Sequence, residues 1–169
     1  MAATCLALAG CYETAGPVIG RGVGAPIAPG SYRCNNDRGS DEGSVVISAP
    51  ARLSADDTVY LVVVDKHRYA VRAAAITGDL FLIEVRGGDV RDAAHVFVRR
   101  SGPDGFELMA TRAQPRERFT ALAQTHGVAL TFAAFGTPSV QGPPDRLRAY
   151  FLAHTLADLE RTSTCRQRG

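Results

Sequence analysis

Between Thr58 and Ala110 short apolar runs alternate with short turns, the first at Asp65 to Arg68 and the later ones carrying glycine. Thr58 to Val64 (TVYLVVV) is rich in β-branched residues with no polar alternation, which predicts a central strand covered on both faces. Tyr69 to Ile76 places Tyr69, Val71, Ala73 and Ala75 on one side, and Leu80 to Val85 does the same with Phe81, Ile83 and Val85. Thr77-Gly78-Asp79 between them is a tight hairpin signal. Gly87-Gly88-Asp89 and Ser101-Gly102-Pro103-Asp104-Gly105 bracket a further strand at His95 to Arg100, and Phe106 to Ala110 follows. Connections this short force antiparallel neighbours, because parallel ones need long crossovers.

Two weaker runs, Gly30 to Cys34 and Val45 to Ser48, precede this block, and Pro50 to Asp57 reads as a loop. After Pro115 the period changes. Phe119, Leu122, Ala123 and His126 share one helical face, closed by Gly127. Val128 to Phe135 returns to strand character. Pro143 and Pro144 then open a second amphipathic helix, predicted over Asp145 to Arg161 with Leu147, Phe151, Leu152, Leu156 and Leu159 on its apolar face.

The fold class that results is α+β, mostly β: an antiparallel meander of about eight strands, forming an open curved sheet or a small barrel. A short helix and a C-terminal amphipathic helix pack on it. In size and strand count this is similar to a lipocalin-like barrel. The helix between the seventh and eighth strands and the lack of tryptophan depart from that plan.

The chain has 169 residues, 46% of them hydrophobic and 21% charged, enough for one domain with its own core. The formal net charge of +2 is too small to point to nucleic acid. Of the 19 basic residues Lys66 is the one lysine, a bias that fits a GC-rich genome better than any local chemistry.

Residues 1–10 (MAATCLALAG) carry no charge and run into Cys11, and 11–29 is dense in Gly, Pro and Ala. Leu8-Ala9-Gly10-Cys11 resembles the lipobox of bacterial lipoproteins. That resemblance implies a signal peptide over 1–10, truncated at its N-terminus because a basic n-region is missing before Arg21. It further implies fatty acylation of Cys11, a flexible Gly/Pro tether over 11–29 and a single β-rich domain over 30–169. The partner implied is a membrane, reached through the N-terminal lipid. The address implied is the bacterial cell envelope, facing the periplasm. Tyr12 after the lipidated cysteine is not Asp, which implies sorting to the outer membrane.

In that compartment Cys5 leaves with the signal, Cys11 carries lipid, and Cys34 and Cys165 remain to form one disulfide. Metal binding by this pair is disfavoured, since no Cys or His stands two to four residues from either.

Catalytic motifs are lacking. There is no Gly-x-Ser-x-Gly elbow and no P-loop, and Gly20-Arg21-Gly22-Val23-Gly24 lacks the strand and helix a dinucleotide loop requires. No cofactor is expected. His154 and Asp158, four apart on the predicted last helix, form with Tyr150 and Arg161 a polar rim beside its apolar face. The function expected is a non-enzymatic binding or scaffold domain whose partner is an envelope protein or a small apolar ligand. The alternative is an envelope enzyme built around His154 and Asp158. Arginines gather as Arg99 and Arg100, as Arg112, Arg116 and Arg118, and as Arg161, Arg166 and Arg168, each group interspersed with acids.

Overall fold

The computed structural model describes residues 12–23, 26–37, 39–54, 57–88, 90–112, 116–132 and 139–169, with backbone alone at 41, 42, 91 and 92. Cys11 and the segment before it lie outside the described residues, as do Pro115 and the end of the expected Val128 to Phe135 strand.

Eight strands close into an antiparallel barrel. In order around the wall they are β2 (Gly30–Asn36), β3 (Asp41–Ile47), β5 (Asp57–Val64), β6 (His67–Thr77), β7 (Leu80–Gly87), β8 (Val90–Arg100), β9 (Gly105–Thr111) and β12 (Leu159–Gln167), with β12 pairing back to β2. The choice left open by the sequence is thus settled in favour of the barrel. The expected hairpins are all present, and Gly78 supplies the left-handed φ of 51° between β6 and β7. Pro50 to Asp57 is not a plain loop, because β4 (Ala51–Ser54) pairs with the start of β5.

An eight-stranded barrel is just wide enough for side chains to fill it. Here the interior is packed by Tyr32, Tyr60, Phe81, Ile83, Val98 and Phe106 among others. A second apolar cluster lies outside the wall, where α1 (Arg116–His126), α2 (Pro144–Leu152) and β1 (Tyr12–Thr14) cover β7 and β8. This explains why β7 is buried on both faces whereas β2 alternates buried and exposed residues. On β2 and β12 the outward face carries Ser31, Arg33, Asn35, Thr164 and Arg166. That is the reverse of the apolar outer band of a membrane-spanning barrel. Among the described residues no helix is long and apolar enough to cross a membrane.

The predicted long last helix is corrected. It ends at Leu152, a 3-10 turn follows at Leu156–Asp158, and the remainder is β12. Thr155 and Asp158 form a reciprocal cap that starts this new turn, and Leu159 to Gln167 then pairs on both edges, with β9 and β2. The two ladders, Leu159 to Arg166 with β9 and Ser163 to Gln167 with β2, outweigh the tenths of a kcal/mol per residue that helix propensity offers. The eighth barrel strand is therefore β12. Among the described residues the strand expected over Val128 to Phe135 is seen as β10 (Ala129–Thr131), which joins β11 (Ser139–Gln141) and β1 in a small flap against β8.

Within the expected flexible tether over 11–29, the stretch from Tyr12 to Val23 is docked on the barrel. Tyr12 and Ile19 are fully buried and Val18 nearly so. Past Tyr60↔Val71, the last β5–β6 pair, Thr58 N–H donates to the Gly22 carbonyl and Val23 N–H donates to that of Ala73. A Cβ at Gly22 would stand 2.1 Å from the Thr58 oxygen, so only glycine fits that approach. Glycine here serves contact rather than slack.

Candidate functional site

Cys34 and Cys165 are joined, directly opposite each other on β2 and β12 with Cα atoms 4.1 Å apart. Both face the barrel interior and are buried. The bond fastens the seam where the last strand meets the first. The predicted pairing is present.

The polar rim expected from Tyr150, His154, Asp158 and Arg161 does not exist as a rim. Tyr150, His154 and Asp158 are buried, at 0%, 1% and 3% exposure. Their depth follows from α2 lying flat on the wall, with Phe151 seated between Tyr12 (5.3 Å) and His95 (4.9 Å). His154 is ringed by Tyr150, Phe97 and Phe119. Its Nδ1–H donates to the Tyr150 carbonyl at 3.0 Å, and its Nε2 has no partner. Burial holds its pKa down to about 4, so the ring is neutral at pH 7.

Asp158 serves other groups. Arg118 of α1 forks onto both its oxygens, and Thr155 donates N–H and Oγ–H to Oδ2 at 2.8 Å each. The Arg118 bonds, then the Thr155 bonds, overcome burial and keep its carboxyl at about 2. Arg161 turns instead to Asp37 (2.9 Å) and Glu107 (3.6 Å). Arg118, 40 residues from Asp158, was noticed in the sequence only as one of an arginine group. The Tyr150 and Tyr12 hydroxyls meet at 3.3 Å, and burial raises the pKa of both, so neither is an activated nucleophile. Chemically the cluster is a largely buried polar network that ties α2 to β1 and the 3-10 turn to α1.

A second buried charge was missed altogether. Glu84, 1% exposed on the outward face of β7, accepts Val18 N–H at 2.6 Å and Ile19 N–H at 2.8 Å on Oε2. His95 Nε2 lies 3.2 Å from the same oxygen, and Arg86 forks onto Oε1. Burial pushes its carboxyl up, but the bonds from His95, Ile19, Val18 and Arg86 prevail and set it near 2. One signal was available: a lone acid inside LFLIEV, a run otherwise apolar on both faces, must have partners. Among the described residues no three His, Cys, Asp or Glu side chains converge as a metal cage.

A third feature lies on the open side of the barrel. A depression of about 360 Å3 is lined by Arg33, Asn35, Thr164, Arg166, Gln167 and Arg168. The sequence grouping of Arg161, Arg166 and Arg168 is thereby divided. Arg161 is paired with acids, while strand register brings Arg33 opposite Arg166.

These features define a class by architecture: a disulfide-closed, eight-stranded antiparallel barrel with helices and a docked N-terminal strand on one wall. No protein-family model, characterised protein or solved structure matches the chain.

Proposed function

We propose that the chain is a lipid-anchored protein of the bacterial cell envelope whose barrel is a non-enzymatic binding or scaffold domain facing the periplasm. The supporting observation is the use of cysteines. The disulfide takes Cys34 and Cys165, as an oxidising compartment allows, and Cys11 remains in the lipobox-like Leu8-Ala9-Gly10-Cys11. Outer-membrane placement follows from Tyr12 at the sorting position. The side-chain-filled interior favours an envelope protein over a small apolar ligand as the partner. The enclosed His154 supports a packing role over the alternative of an enzyme centred on it.

The test is fatty-acid labelling and membrane fractionation of Cys11→Ser. The variant is expected to lose label and leave the membrane fraction. Unchanged labelling would remove the anchor from the proposal. A pull-down of the tagged protein from crosslinked envelopes would then identify the partner.

A further inference from the structure

The open depression on β2 and β12 has the geometry of an anion site. Because Cys34 and Cys165 point inward, their neighbours point outward. Register then sets Asn35 beside Thr164 and Arg33 beside Arg166. Arg168 N–H donates to the Ser31 carbonyl at 2.8 Å, so the pairing continues past β12 and holds Arg168 in line with Arg166. The disulfide between the two strands fixes this spacing.

No carboxylate lines the depression. On the β9 side Arg166 faces Gly105, which has no side chain. Glu107, opposite Thr164, is held by Arg99 at 2.8 Å and by Arg161. No acid among the described residues pairs with Arg166 or Arg168. Guanidinium forks match phosphate oxygens two at a time, and the Asn35 amide and the Thr164 hydroxyl add neutral donors. We infer that this depression binds a phosphate group carried by a small molecule or by a lipid headgroup. The inference does not depend on acylation of Cys11.

The full chain carrying Cys11→Ser is titrated with inorganic phosphate at constant ionic strength, following the arginine Nε–H signals by NMR. Saturable shifts are expected at Arg166 and Arg168. Arg166→Glu should weaken binding by about tenfold or more, the worth of one charge-assisted fork. Arg161→Gln, outside the depression, should leave it unchanged. Should Arg166→Glu fail to fold, Arg168→Gln beyond the end of β12 provides the same comparison. Sedimentation with phosphatidylglycerol vesicles, against phosphatidylcholine, distinguishes the sources. Binding to the anionic vesicles that Arg166→Glu abolishes assigns a headgroup, and phosphate saturation without vesicle binding assigns a soluble ligand. Shifts that never saturate together with no selective vesicle binding, or binding indifferent to both arginine variants, would overturn the inference.

Discussion

His154 gives the sharpest test of the packing around α2. Its ring is 1% exposed, and burial lowers its pKa from 6.5 to about 4. Below pH 6.5 the unfolded chain therefore takes up a proton that the native fold refuses. Stability falls as pH falls through this window and levels off below about 4. Each pH unit is worth about 1.4 kcal/mol, so the loss between pH 6.5 and 5 is about 2 kcal/mol. Glu84, Asp57 and Asp158 contribute little there, since their native values near 2 and ordinary values near 4 leave them ionised in both states. His154→Phe removes the titration while keeping a ring among Phe97, Phe119 and Tyr150, and the Tyr150 carbonyl still accepts Ala153 N–H. Urea denaturation at pH 7 and pH 5, with the disulfide intact, measures the difference. The wild type is expected to lose about 2 kcal/mol and the variant markedly less. Equal losses in the two proteins would refute the reasoning, whatever their absolute stabilities.

Phe151→Ala should cost about 3–5 kcal/mol in the same assay, because a fully buried ring leaves a cavity between Tyr12 and His95; a loss below about 1 kcal/mol would place that face elsewhere. Reducing Cys34–Cys165, which lie 131 residues apart, should remove about 5 kcal/mol of chain-entropy stabilisation, read as a lowered urea midpoint against the oxidised protein. Glu84→Gln should cost about 2–3 kcal/mol and expose residues 12–23 to proteolysis, and limited digestion with unchanged cleavage there would contradict the docking role.

The barrel wall was legible wherever pairing is local. The β6–β7 hairpin shows its period and its Gly78 turn in the sequence, because both strands and the turn lie within about twenty residues. The disulfide was legible by bookkeeping alone. What escaped notice depends on distant partners. Leu147, Phe151 and Leu159 keep a helical spacing across the Leu152 break, so nothing local marks Leu159 as a strand; closure against β2 and β9 decides it. The docking of Tyr12 to Val23 rests on Glu84 some 65 residues away and on one close approach at Gly22. At the candidate site, Tyr150, His154 and Asp158 do lie near one another as expected, but Arg118 takes the place assigned to Arg161. Cross-strand register, which places Arg33 opposite Arg166, has no signature within either strand.

The docked lead changes what a lipid at Cys11 would do. Tyr12 follows that cysteine directly and is fully buried against Phe97 and Phe151. An acylated Cys11 would therefore hold the barrel by its β8 wall, with none of the slack that a free tether of this composition gives. The basic depression lies on β2 and β12, separated from β8 by β9 on the shorter path round the barrel. With eight strands closing the circle, that path is roughly a quarter to a third of a turn. An anchor attached through Tyr12 and the depression would thus lie on different sectors of the wall, and acylation would neither form nor cover the depression. Glu84 is the group that separates the two roles. Its loss would free the lead and loosen the anchored end, while the disulfide-fixed arginines on the other sector keep their spacing. An anchored barrel with Glu84→Gln should therefore change its orientation at the membrane without changing its affinity for phosphate.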